Sequence, residues 1–312
     1  MRLARTFAVS DPGRRRRRNE DSYVVSPPLF AVADGMGGAQ AGELASRLAV
    51  EAMGGAPESS GEERLATLIR EANRRVFARS HEDAAASGMG TTMTAALVGD
   101  GGTVTIGHVG DSRAYRLRED RLEQLTEDHS LVAELVRTGR LSAEEAETHP
   151  QRSVITRALG TDPEVDVDVF TIQAEPGDLF LLCSDGLTTM VDDDEIRRTV
   201  SEGREDLESA ARELVAKANR GGGEDNITVL FFELEEGEPV GDDEDTLTEA
   251  DRVPVVDDGP GVVDVNGPAP AAQQEPTIQE ELDATARRVL IIVGVVALVA
   301  VGIAVLLLGL RA

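Results

Sequence analysis

The chain has 312 residues and carries 58 Asp and Glu against 31 Lys and Arg, a formal net charge of -27. That balance argues against nucleic acid as a main partner, because phosphate-backbone binding needs a broad basic face. A single cysteine, Cys183, rules out an intramolecular disulfide and suits a reducing compartment.

In chain order, the basic run Arg14–Arg18 has no apolar core behind it, so no signal peptide is read there. "NEDSYVV" sets Glu20 and Asp21 just ahead of a strand. The apolar run from Leu29 to Ala33 stops at Asp34, and glycines follow at 35, 37, 38 and 42. Helical periods cover 43–53, which Gly54-Gly55 ends, and 62–85. "TMTAALV" and "TVTIGHV" flank Gly99-Asp-Gly-Gly102 as a hairpin, and "RAYRLR" and "RLEQLT" flank Glu119-Asp120 as a second. A helical period over 130–139 precedes "VDVDVFTIQ", whose alternation predicts a half-exposed strand. "DLFLLCSDG" is a buried strand ending at Asp185, helical periods follow over 192–202 and 205–219, and "NITVLFFEL" closes the set. Hairpins predominate over strand-helix-strand alternation, which predicts an α+β fold of antiparallel sheets with helices packed outside.

Two further zones follow residue 234. Residues 235–285 hold 16 acids and one base with scattered Pro and Gly, and read as a disordered linker. Within 286–312, Val289 to Leu310 is 22 residues without a charge. At 1.5 Å rise that is about 33 Å, enough to cross a hydrocarbon core. Arg287 and Arg288 precede the stretch, so the positive-inside rule puts its N-terminal side in the cytoplasm. The expectation is a single-pass membrane protein anchored by this C-terminal helix, with residues 1–234 as a cytoplasmic catalytic domain.

Several strands begin or end at carboxylates: Glu20 and Asp21, Asp34, Asp111, Asp185 and Asp225, most of them beside Gly. One Asp-Gly at a strand end is a turn. Five such sites in one domain, if buried together, would repel one another unless a cation lay between them. Hard divalent ions, Mg²⁺ or Mn²⁺, take such oxygen ligands plus water.

"RRRNED", "VADGMGGAQAGE", "GMGTTMTAAL", "HVGDSRAYRLR", "ITRALG", "LCSDGL" and "EDNITV" occur in family order over roughly residues 3–234. Together they resemble the metal-dependent protein phosphatases of the PPM/PP2C family, bacterial serine/threonine type. The resemblance implies two antiparallel β-sheets sandwiched between α-helices. It implies that Asp34 bridges two metals, that the Gly35 carbonyl binds the second, and that Asp185 and Asp225 bind the first. Glu20 and Asp21 would hold metal-bound waters, Arg16 would grip the substrate phosphate, and Asn226 would orient the Asp225 region. Asp111, with Ser153, resembles the third-metal site of bacterial members. The cofactors implied are two Mn²⁺ or Mg²⁺ ions with a third site, and the implied reaction is in-line attack of an activated water on phosphorus, with no covalent enzyme intermediate. Implied partners are phosphorylated proteins, membrane Ser/Thr kinases and their substrates among them. Met36 departs from the pattern, since many eukaryotic members carry a proposed acid His there. The segment 136–164 resembles the family's variable flap.

Other chemistries fit the residues less well. A cysteine phosphatase needs Arg six residues after the Cys, and position 189 is Thr, so Cys183 reads as core. No Gly-Lys-Ser/Thr loop and no His-Glu-x-x-His occurs. His129 reads as a packing residue. A non-catalytic phosphoprotein-binding module should have lost a carboxylate at 34, 185 or 225, and none is lost. A phosphatase of small metabolites would share the same site.

Overall fold

The computed structural model describes residues 1–37, 41–54 and 61–237. In chain order these form β1 (Arg2–Asp11), β2 (Asp21–Ser26), β3 (Leu29–Met36), α1 (Ala41–Met53), α2 (Glu62–Glu82), β4 (Gly90–Thr91), β5 (Met93–Val98), β6 (Thr103–Val109), β7 (Arg113–Arg118) and β8 (Arg121–Gln124). Then come α3 (Leu131–Arg137), α4 (Ala143–Glu147), β9 (Asp168–Gln173), β10 (Leu179–Cys183), α5 (Asp185–Thr188), α6 (Asp193–Glu202), α7 (Leu207–Gly221) and β11 (Ile227–Glu235). One sheet has the order β1-β11-β10-β7-β8, the other β2-β3-β5-β6-β9, with β4 paired to β3. Every pairing is antiparallel.

Three apolar cores define four layers. Between the sheets, Phe30 of β3 stacks on Phe232 of β11 with centroids 4.5 Å apart, and Phe232 stacks on Phe180 of β10 at 4.7 Å. The outer face of the second sheet packs on α1 and α2 through Ala45 and Ala49 and through Leu65, Ile69, Ala72 and Val76, each at helical spacing. Gly107 of β6 makes room for α2, since a Cβ there would lie 2.6 Å from Ile69 Cδ1. The outer face of the first sheet packs on α6 and α7 through Ile196, Val200, Leu207, Ala211, Leu214 and Ala218. This α-β-β-α order agrees with the predicted fold class.

The two predicted hairpins form as β5–β6 and β7–β8. Strands β6 and β7 keep the bounds read from the sequence, β5 starts one residue later, and β8 stops at Gln124, two residues short. Strand β1 has no counterpart in the sequence reading: every residue after Arg2 is half-buried at the sheet edge, so the run lacks a clean alternation. The helix read over 62–85 stops at Glu82, because the Asp83 side chain accepts from Ala85 N and starts a separate 3-10 turn. The strand read from Val165 starts at Asp168, and β4, α4 and α5 are too short to give a periodic signal. Among the described residues no helix is long and apolar enough to cross a membrane. The expected span 289–310 and the linker from residue 238 onward lie outside the described residues.

Candidate metal centre and phosphate site

Antiparallel pairing gathers the strand-end carboxylates at one end of the two sheets. Asp21 at the start of β2 lies opposite Asp34 near the end of β3. In the other sheet, β10 ends just before Asp185 where β11 begins just after Asp225, Cys183 facing Val229. Cys183 also faces Arg113, which brings the β6–β7 turn holding Asp111 to the same end. Strand β1 finishes there too, with Asp11 opposite Ile227, and the arginine run follows at once.

Short polar anchors fix these groups. Ser184 Oγ and Thr228 Oγ1 donate to Asp21 Oδ2 at 2.7 and 2.6 Å. Asp34 donates its N–H to Thr92 Oγ1 at 2.9 Å, while Thr91 Oγ1 donates to the Asp34 carbonyl at 2.8 Å. Asn226 clamps the arginine loop: its Nδ2 donates to the Pro12 and Arg18 carbonyls at 3.0 and 2.9 Å, and its Oδ1 accepts from Glu20 N at 2.7 Å. Glycine is required at 35 and 42 by space. A Cβ on Gly35 would sit 2.1 Å from the Gly42 carbonyl oxygen, and one on Gly42 would sit 2.8 Å from both the Gly35 carbonyl oxygen and Glu20 Oε2. The Glu20 carboxylate and the Gly35 carbonyl therefore face the same small space at the start of α1.

The electrostatics of the cleft are those of charges lacking counterions. Burial, then repulsion from Asp21, Asp185, Asp111 and Asp225, holds the Asp34 carboxyl well above the usual carboxylate range. Burial pushes Asp21 up to about 7 against the pull of its two hydroxyl donors. It pushes Asp111 up to about 8 and Asp185 up to about 6, with neighbouring carboxylates adding to each. One oxygen each of Asp21, Asp111 and Asp185 is buried without a hydrogen-bond partner. Of the nearest cations, Arg113 is committed outside the cleft to Asp128 at 2.8 Å, and Arg16 reaches the cleft only from its exposed rim, at Asp225, 2.7 Å away.

A pair of hard divalent ions fits this donor set, which offers several carboxylates, a carbonyl and orphaned oxygens with no buried cation among them. Among the described residues no three such side chains converge tightly enough to hold an ion as they stand. The donor chemistry, more than any closed cage, marks the site.

The structure brings together Glu20, Asp21, Asp34, Gly35, Asp111, Asp185 and Asp225, with Arg16 bonded to Asp225. Ser153 stands exposed and makes no hydrogen bond to Asp111. Of the five arginines, Arg16 alone meets Asp225, while Arg18 lies 3.6 Å from Glu43. His129 packs: Gly110 N donates to its Nδ1 at 3.0 Å, and its Nε2 lies 3.1 Å from Asp168 and 3.0 Å from Arg157. The supporting hydroxyls of Ser184, Thr228 and Thr92 went unread, because an isolated Ser or Thr in a strand has no spacing signal. Only their places near strand ends, Ser184 beside Asp185, Thr228 two residues after Asn226 and Thr92 before Met93, could have marked them.

Buried carboxylates around an arginine, on an α-β-β-α sandwich, define a metal-dependent phosphohydrolase. The sequence model described as Protein phosphatase 2C matches residues 15–218, and the chain belongs to that family. It is 43% identical over 237 residues to the serine/threonine phosphatase stp of Listeria monocytogenes, covering 72% of this chain and 93% of that one. It is 41% identical to the serine/threonine protein phosphatase PstP of Mycobacterium tuberculosis over 74% of this chain and 45% of that one. The crystal structure of the M. tuberculosis phosphatase superposes with a TM-score of 0.71 at 40% identity, covering 75% of this chain and all of the other. A structure of the PstP catalytic domain with two manganese ions superposes with a TM-score of 0.69 at 37% identity, over 75% and 99% of the two chains. The chain is thus a serine/threonine phosphatase that uses Mn²⁺ or Mg²⁺.

Proposed function

We propose that this phosphatase hydrolyses phosphoserine and phosphothreonine on proteins at the cytoplasmic face of a membrane, opposing Ser/Thr kinases held there. The observation that carries the chemistry is the set of buried, partnerless carboxylate oxygens beside a half-exposed arginine. Asp34, Asp185, Asp225 and the Gly35 carbonyl would hold two ions, with Asp111 toward a third. When bound, the ions supply a water acidic enough to attack phosphorus at neutral pH.

The chain's own residues do the rest. Arg16 exchanges Asp225 for the phosphoryl oxygens, and its planar fork fixes their orientation. Asp21 keeps one oxygen saturated by Ser184 and Thr228 and leaves the other to accept from water in the cleft. Asn226 holds both ends of the arginine loop, so the phosphate ligand is positioned before substrate arrives. Met36 and the fully engaged His129 leave solvent water as donor to the departing alkoxide.

The membrane reading rests on the uncharged stretch 289–310 behind two arginines and an acidic linker. A tether of that kind raises the effective concentration of enzyme near membrane-borne phosphoproteins. Hydrolysis of p-nitrophenyl phosphate and of a phosphothreonine peptide by the full chain with Mn²⁺ tests the chemistry. Activity that persists in excess chelator overturns it. Recovery of the full chain in the soluble fraction of cells, with residues 289–312 present, overturns the tether.

A further inference from the structure

Arg14 to Arg18 form an exposed run of five cations in a chain of net charge -27. The loop is held rigidly at the rim of the carboxylate cleft. Arg14 N and Arg15 N both donate to the Gly223 carbonyl, at 2.7 and 3.1 Å. Gly13, at φ +77°, lies so close to strand β11 that a Cβ would come 2.1 Å from the Asp225 carbonyl oxygen. Asn226 ties the carbonyls of Pro12 and Arg18 at the two ends of the run. Arg16 is occupied with Asp225 and Arg18 lies near Glu43. The guanidinium groups of Arg14, Arg15 and Arg17 are exposed and make no ion pair or hydrogen bond within the described residues.

A fixed backbone with three unspent cations beside the phosphate ligand is a recognition surface, because little ordering entropy remains to be lost on binding. We propose that Arg14, Arg15 and Arg17 form a specificity subsite that selects phosphorylated segments carrying Asp or Glu within a few residues of the phosphate. This rests on the phosphatase reading above and adds the substrate class. The rim charge opposes the strongly negative remainder of the molecule, so it also turns acidic substrates toward the cleft.

The test uses the full chain with Mn²⁺ and two phosphothreonine peptides of equal length, one with acidic and one with basic flanks, beside p-nitrophenyl phosphate, which has none. At low salt the acidic peptide is expected to have the higher kcat/KM by about tenfold, three exposed charge contacts of modest size each. The ratio should shrink at 0.5 M salt, where screening shortens to a few ångströms. In R14Q/R15Q/R17Q the ratio should fall to about one while p-nitrophenyl phosphate turnover stays within about twofold. A wild-type ratio at or below one, or a ratio unchanged in the variant, overturns the subsite and leaves the phosphatase reading intact. No hydrolysis of any of the three substrates overturns both. If the triple variant fails to fold, R17Q alone and the wild-type salt dependence still decide. Loss of anionic-vesicle binding in the variant without any peptide preference also counts against it.

Discussion

Asp178 and Asp21 are both almost fully buried, at 0% and 2% exposure, yet the protein treats them in opposite ways. Asp178 sits away from the cleft under a bidentate Arg118, with Nε and Nη2 at 2.7 and 2.6 Å, and its Oδ2 also accepts from Glu175 N at 2.9 Å. Asp21 has two hydroxyl donors on one oxygen and nothing on the other, and its neighbours are further carboxylates. The first is a charge neutralised for the sake of the fold. The second is a charge left for something that arrives later. Burial alone therefore does not mark function here; burial without a counterion does.

The strongest way to break that contrast is at Asp34. Asp34→Asn should reduce Mn²⁺-dependent turnover by more than the roughly 100-fold that changes outside the ligand shell produce. The same change should leave the metal-free protein at least as stable as wild type, because it removes one of several mutually repelling carboxylates. A metal-free variant markedly less stable than wild type in urea would show that Asp34 serves the fold instead.

Arg118→Ala is the opposite experiment. It strands Asp178 without its cation, and loss of a buried partner costs about 3 kcal/mol or more. Turnover per folded molecule should be unchanged, so a fall in urea midpoint with intact specific activity is the expected result. A selective loss of activity would make Asp178 part of the functional region.

The third difference is in pH. In the metal-free chain burial and neighbouring carboxylates disfavour the charge of Asp21 and Asp111, pushing them up to about 7 and about 8. Their folded pKa values exceed the unfolded ones, so the folded state binds more protons. The stability this confers is complete at low pH and is lost as pH rises through 7 and 8. The buried His108, lowered to about 4 by burial and by His129, acts only below about pH 6.5, where its charging in the unfolded chain favours unfolding. Between pH 6.5 and 8.5 the melting temperature in chelator should therefore fall, and Mn²⁺ should flatten the slope. A chelated protein whose melting temperature is level or rises over that window contradicts the account.

Much of this was legible in the sequence, for definite reasons. The hairpin β5–β6 is joined by a glycine-rich turn, Asp34 and Asp185 close apolar runs and Asp225 stands just ahead of one, so both announce themselves by pattern. The order of strands in each sheet did not, because pairing such as β1 with β11 joins residues over two hundred positions apart. Strand β1 carries no alternation because nearly all its residues are half-buried. The arginine register has no mark in the sequence: five identical side chains carry no internal signal, and only the Arg16–Asp225 contact separates one from the rest. The hydroxyls around Asp21 come from Ser184, just past the end of β10, and from Thr228 of β11, neighbours only through the sheet.

Those hydroxyls offer the smallest and finest test of the contrast. Ser184 Oγ donates to Asp21 Oδ2 at 2.7 Å and accepts from Thr228 N at 2.9 Å. Ser184→Ala removes one donor from a carboxylate that retains Thr228 Oγ1, and leaves the Thr228 N–H unpaired in the core. The expected cost is about 1 to 2 kcal/mol of stability, the range for one buried donor left unmade. Since the lost donor favoured the charged form of Asp21, its carboxyl should hold its proton to higher pH in the variant. A cation competes with that proton, so half-maximal activity should need more Mn²⁺ at pH 6.5 than for wild type, with the gap closing by pH 8.5. A gap that stays constant across that range would mean that Ser184 supports the strand ends and has no part in readying Asp21.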